Sequence, residues 1–289
     1  MKPHLFQRAA AVLLVVAVSM TAAACRATQT PAALSGRASA LDRIKREKVI
    51  HAGYIKYPPF VEVEPNAGRP SGYFIDLMEQ VRTFMGRDIR IDYEETAWGT
   101  MVSGIQSGRF DVVVSGIFST IPRSMEVTFP KPLLYVGLSG VARRGDTRFM
   151  SAEDLKKPGL TIAVTAGEVG HEYAQRFLPD AKLIVIDTPD ITRPMLEVLA
   201  GRADIGLADS MSCFNFVAAH AAQAVHLFDT RPLYVYATTV MIPRGDPDWK
   251  DFLDQAFMFL QNSGLTQELE GKYKKGRAAW LSIRPPFES

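Results

Sequence analysis

The chain has 289 residues, 47% hydrophobic and 22% charged, enough to build one large or two medium cores. Its formal net charge is only +2, with Lys and Arg scattered rather than gathered in a stripe, which argues against nucleic acid as a partner. The two cysteines and five dispersed histidines form no cluster with metal-ligand spacing, so neither a metal nor another cofactor is expected.

At the N-terminus, Lys2 and Arg8 precede an apolar run over 9–20. That run is too short to span a bilayer comfortably and has the length of a signal-peptide core. Small residues (Thr21, Ala22, Ala23, Ala24) lead to Cys25, and the stretch resembles a bacterial lipoprotein signal whose cysteine is lipidated. Ala22 stands where such signals usually carry a larger aliphatic residue, and Ala22-x-Ala24 suits an ordinary signal peptidase equally. The expectation is export, with 1–25 a signal peptide, Cys25 a membrane anchor and 26–40 a flexible, polar tether. Cys213 then has no partner and is expected to be a small buried hydrophobe.

From residue 41 onward helix and strand patterns alternate. A helix over 41–47 precedes a strand over 49–54. Phe74, Leu77, Met78, Val81, Phe84 and Met85 fall at helical spacing and stop at Gly86. Residues 89–93 are β-like, and Trp98, Met101, Val102 and Ile105 repeat at helical spacing before Gly108. The Val-rich run 110–115 has the character of a buried strand. Ser151 and Asp154 form a capping box before a short helix. Strands are predicted over 160–164, 183–186, 203–208 and 234–242, and helices over 170–177 and 190–199, with a further helix starting at Ser210. Trp249, Phe252, Leu253, Ala256, Phe257 and Leu260 make a long amphipathic helix. Such alternation predicts parallel sheets with helices on both faces, and a ligand site at the carboxyl ends of strands, in the turns after Tyr54, Ser115, Val164 and Ala208.

Six segments now occur in one order: 49–60, ending in Tyr57-Pro58-Pro59-Phe60; 72–77 (GYFIDL); 98–111 (WGTMVSGIQSGRFD); 115–123 (SGIFSTIPR); 201–210 (GRADIGLADS); and 242–246 (IPRGD). Together they resemble the family 3 solute-binding proteins, the polar-amino-acid receptors of ABC importers. The resemblance implies a two-lobed α/β fold of the type II periplasmic-binding-protein class, with the ligand cleft between lobes joined by two hinge strands. Lobe 1 is then expected over 41–138 and 237–289 and lobe 2 over 139–236, with crossings near 133–141 and 233–240. It also implies a monomeric, extracytoplasmic receptor that captures an amino acid or similar zwitterion and delivers it to ABC permease subunits.

A free amino acid presents a carboxylate and an ammonium, and both need charged or multiply hydrogen-bonded partners once out of water. The resemblance places Arg123 on the carboxylate, as the planar guanidinium suited to it. It places Asp209 on the ammonium, with N-capping of the next helix a compatible second role. Ser115, Gly116 and Thr120 surround Arg123, and Gly116 permits close backbone approach to a ligand. Tyr57, Phe60, Trp98 and Phe118 are candidate aromatic walls, each also plausible as core. Asp111 and Asp204, which open buried strands, are read as structural. Two departures bear on the ligand. Tyr54 stands where receptors for basic amino acids often carry an acid. Gly167-Glu168 stands where the family usually has Gly-Thr, and a glutamate there repels a ligand carboxylate unless it turns away, is protonated or meets an added positive charge. The ligand therefore carries extra positive charge or is not a standard α-amino acid.

Two rival readings remain. The stretches 146–149, 158–161 and onward to Ala174 resemble cyclohexadienyl (arogenate/prephenate) dehydratases built on the same fold. There the expected acid falls at His171, with Glu168 and Glu172 nearby, and an exposed helical histidine is the plainer account of His171. The other rival is a sensory receptor that signals without feeding transport. No phosphate loop, nucleophile triad or nicotinamide fingerprint is present, so no enzyme activity is expected and energy coupling falls to partner subunits.

Overall fold

The computed structural model describes residues 38–63, 68–274 and 280–283, so the expected signal peptide, Cys25 and most of the tether lie outside the described residues. Its first element is α1 (Ala40–Glu47), whose N-cap Ser39 accepts from Leu41 N. The Ser39 hydroxyl and Ala40 N both donate to Asp246, at 2.7 and 2.6 Å, so these last residues of the expected tether join the folded body.

Strand β1 (Val49–Tyr54) pairs in parallel with β2 (Arg90–Glu95) and β3 (Val112–Phe118). Helix α2 (Tyr73–Met85) buries Phe74, Leu77, Met78 and Val81, the stripe its spacing predicts. Helix α3 (Met101–Gln106) begins three residues after Trp98, so Trp98 lies in the turn before the helix. β3 starts later than the apolar run and continues to Phe118, with a register shift between Val113 and Ile117 against its neighbour.

After α4 (Ile121–Glu126), β4 (Leu134–Arg143) leads into a second group of strands: β5 (Thr161–Thr165), β6 (Lys182–Ile186), β7 (Ile205–Asp209) and β8 (Ala224–Leu227). A short 3-10 helix, Ala152–Lys156, carries the predicted Ser151/Asp154 capping box. Helices α5 (Val169–Phe177), α6 (Arg193–Leu199) and α7 (Ser210–Ala219) connect the strands. α6 starts at Arg193 rather than 190, because Asp190 turns back to accept from Thr192 N and its hydroxyl. β9 (Tyr234–Met241), α8 (Pro247–Asn262), α9 (Leu265–Tyr273) and β10 (Leu281–Ser282) complete the order.

The strands run β2-β1-β3-β9-β4-β7-β5-β6, with β8 and β10 also paired to β4. The parallel expectation is corrected here. β1–β3 and β5–β7 are parallel groups, but β4 and β9 are antiparallel to each other and to the strands beside them. The two strands carry the chain in opposite senses between the lobes, which reverses direction at the sheet centre. This is the two-lobed type II arrangement, with β4 and β9 common to both halves. One large core runs through the molecule, with small satellites around Met195 and Val198 in the second half.

Candidate functional site

The carboxyl ends of β3, β5 and β7 converge, as the open-sheet rule requires. Helix α4 starts after β3 with Thr120 as N-cap, its hydroxyl accepting from Arg123 N at 3.4 Å. That places Arg123 on the first turn of the helix with its side chain only 5% exposed. One terminal nitrogen donates to Phe118 O at 3.1 Å and the other to Gly167 O at 2.7 Å, a bond from the lobe of β3 to the lobe of β5. Arg123 Nε lies 3.4 Å from the Glu172 carboxylate on α5. At Gly167 φ is +71°, and the backbone of Trp98 and Gly99 from the other lobe lies 3.6 Å from where a Cβ would stand. The lobes therefore meet at Gly167.

Two buried carboxylates, Glu168 and Asp209, lie close to each other, and each also caps a helix. Glu168, 1% exposed, accepts from Gly170 N at 2.9 Å and begins α5. Burial and the nearby Asp209 push its carboxyl up to about 7. Asp209, also 1% exposed, ends β7 and accepts from Met211 N and Ser212 N at 3.0 and 2.9 Å through Oδ1 alone. Burial raises its pKa too, against the pull of these hydrogen bonds. Its Oδ2 and the Tyr57 hydroxyl are buried and face each other without meeting full hydrogen-bond geometry, and Trp98 Nε1 and the Thr165 hydroxyl are buried without a partner among the described residues. Burial, then Asp209, holds the Tyr57 phenol well above its usual range, so the hydroxyl stays protonated and available as a donor.

The remaining predicted site residues have other surroundings. Ser115 Oγ accepts from Ile55 N at 2.5 Å, tying β3 to the turn after β1. Gly116 adopts φ +70°, and an added Cβ would lie 2.7 Å from the Phe74 ring and 2.8 Å from the Phe60 ring. The close approach foreseen at Gly116 is thus made by aromatic rings of the lobe core. Phe60 packs against Phe74, Tyr73 and Trp280 as a core side chain. Tyr57 holds Trp98 and Phe118 edge-on at centroid distances of 5.7 and 6.4 Å, and all three are buried. Asp111 accepts from His51 N and pairs with Arg43, and Asp204 accepts from Thr161 N and pairs with Arg148, both structural. Cys213 is buried and joined to no other cysteine among the described residues. His171, expected to be exposed, is half-buried, with Nδ1 accepting from Gly167 N at 3.4 Å.

Thr165 and the ion-pair role of Glu172 went unread in the sequence. Thr165 ends the strand before the predicted turn, so its position on β5 was the available signal. A surface cavity of about 360 Å³ lies between Pro58, Pro59 and Glu62 on one side and Met211, Phe214 and Asn215 on the other; none of the predicted site side chains lines it.

The fold and this inter-lobe constellation define a two-lobed binding protein of the periplasmic class. The chain belongs to the bacterial extracellular solute-binding proteins, family 3, whose model matches residues 49–276. It is 26% identical over 250 residues to the cyclohexadienyl dehydratase of Pseudomonas aeruginosa, covering 86% of this chain and 90% of that one. An ancestral amino-acid-binding protein, a precursor of cyclohexadienyl dehydratase, superposes with a TM-score of 0.71 at 27% identity, covering 82% of this chain and all of the other. A chain from Wolinella succinogenes solved in complex with lysine gives a TM-score of 0.70 at 27% identity, covering 79% and 97%.

Proposed function

We propose that the protein captures an amino acid between its lobes and hands it to the permease of an ABC importer, without chemically altering it. The observation that carries this reading is a set of buried polar atoms that meet no full hydrogen bond among the described residues: Asp209 Oδ2 and the Tyr57 hydroxyl, which face each other, with the Thr165 hydroxyl and Trp98 Nε1. Leaving such groups unsatisfied is costly, and a zwitterion supplies complementary partners. Its carboxylate exchanges with the carbonyls now held by Arg123, its ammonium meets Asp209 Oδ2, and Tyr57, Trp98 and Phe118 flank its carbon skeleton. Binding then favours the closed form, because Arg123 and Asp209 come from different lobes.

Charge weighs against the dehydratase alternative. Prephenate brings two carboxylates and no cation beside Glu168, Glu172 and Asp209, with Arg123 facing them, whereas arogenate adds an ammonium. Export and membrane attachment through Cys25 complete the proposal, as a tethered receptor stays near its permease.

The test is a thermal-shift screen of protein unfolded and refolded to remove bound ligand, using the common amino acids with prephenate and arogenate. Stabilisation by one class of amino acids supports the receptor. Conversion of a cyclohexadienyl compound to product overturns it. Arg123→Ala is expected to abolish the amino-acid shift while preserving the circular dichroism spectrum; an unchanged shift removes Arg123 from the site.

A further inference from the structure

Charge in the cleft is unbalanced for a neutral zwitterion. The ionisable groups facing Glu168 are Arg123 on α4, Glu172 on its own α5, Asp209 ending β7, Cys213 on α7, Tyr57 after β1 and Tyr236 on β9. The phenols and the thiol are held above their usual range by burial and remain neutral. Three carboxyl groups thus stand against one guanidinium, two of them, Glu168 and Asp209, raised by burial, and Glu172 lies 3.4 Å from that guanidinium. A zwitterion contributes no net charge. On the amino-acid reading its carboxylate takes Arg123 and its ammonium takes Asp209, and Glu168, which accepts from Gly170 N, then keeps no ion-pair partner of its own among the described residues.

We propose that the ligand is an amino acid bearing a second cationic group on its side chain, and that Glu168 receives that group. This rests on the amino-acid reading of the cleft. A buried carboxylate must be either protonated or paired with a charge and hydrogen-bonded. Glu168 stands at the boundary between those states, since burial pushes it up to about 7, and an approaching cation returns it to the ionised form. Gly170 N, donating to Glu168 at 2.9 Å from the first turn of α5, supports the same ionised form. The lobe contact at Gly167 is the adjoining residue, so pairing at Glu168 couples side-chain charge directly to closure. The turn after β1 carries Tyr54 rather than an acid, and the carboxylate serving the side chain comes instead from the second lobe.

Isothermal titration with the full chain, refolded free of ligand, compares lysine with norleucine and arginine with citrulline, pairs alike in length but not in charge. At pH 8 the basic member is expected to bind about a hundredfold more tightly, the worth of a buried charge-assisted pair. Glu168→Gln is expected to shrink that preference below about tenfold, and a preference kept near a hundredfold overturns the assignment. Should this variant fold poorly, wild-type protein serves. The lysine-to-norleucine ratio rises between pH 6 and 8 if Glu168 is the partner, and a constant ratio overturns the assignment. Norleucine binding as tightly as lysine sinks the cation assignment and leaves the amino-acid site standing. Failure of every amino acid to bind overturns both.

Discussion

Asp209 divides its two oxygens between the helix that follows it and the cleft in front of it. Oδ1 caps α7 through Met211 N and Ser212 N, while Oδ2 faces the Tyr57 hydroxyl and meets no full hydrogen bond among the described residues. Substitution separates these roles. Asp209→Asn keeps a capping oxygen, so stability falls by less than about 1 kcal/mol while affinity drops by roughly ten- to a hundredfold. Asp209→Ala loses the cap as well, at about 1 kcal/mol more. Urea unfolding and titration calorimetry on both variants check this, and an Asp209→Asn protein with unchanged affinity contradicts the ammonium role.

Glu168 gives stability a pH dependence of determined sign. Its folded value, about 7, exceeds the ordinary 4.5, so the folded state holds the proton more tightly than the unfolded chain. The associated stability is fully present below about pH 4.5 and is lost as pH rises through about 7. Against Glu168→Gln, which does not titrate, ligand-free wild type is expected to lose up to roughly 3 kcal/mol between pH 4.5 and 8. Urea midpoints across that range measure the difference, and a flat difference contradicts the burial of Glu168.

Among the elements, the short strand β10 and the residue before it matter more than their length indicates. Leu281 and Ser282 pair with Tyr135 and Leu134 of β4, and Trp280 packs on Phe60 and Tyr73 with centroids 5.2 and 6.1 Å away. Gly116 in turn makes room for Phe60. Trp280→Ala is expected to cost roughly 3 kcal/mol in urea unfolding, as a large side chain leaves a packed aromatic cluster. A loss near zero would show that the cluster closes without it. Little of this was legible locally: 276–289 match no periodic pattern, α9 lacks a side-chain cap signal, and β10 is two residues long.

For the whole molecule, closure links binding to stability. A ligand that contacts Arg123 of one lobe and Asp209 of the other binds only the folded, closed body. At a hundred times its dissociation constant it is expected to add about 2.7 kcal/mol to unfolding, with a matching rise in Tm. Scattering should show compaction at the same ligand concentration, and stabilisation without compaction would mean that binding does not require closure.

The sequence by itself determined the helical stripes of α2 and α8, the Val-rich β3, the capping box at Ser151 and the placement of Glu168 and Asp209 in turns between a strand and a helix. Those features depend on neighbours a few residues away, where periodicity and capping chemistry operate. Tertiary structure alone decided that Arg123 reaches Gly167, 44 residues away, that Glu172 joins it, and that Gly116 serves aromatic packing. It also decided that β4 and β9 run antiparallel through the centre of the sheet. Each of these depends on which distant segments meet once the lobes close, and local spacing carries no record of that distance.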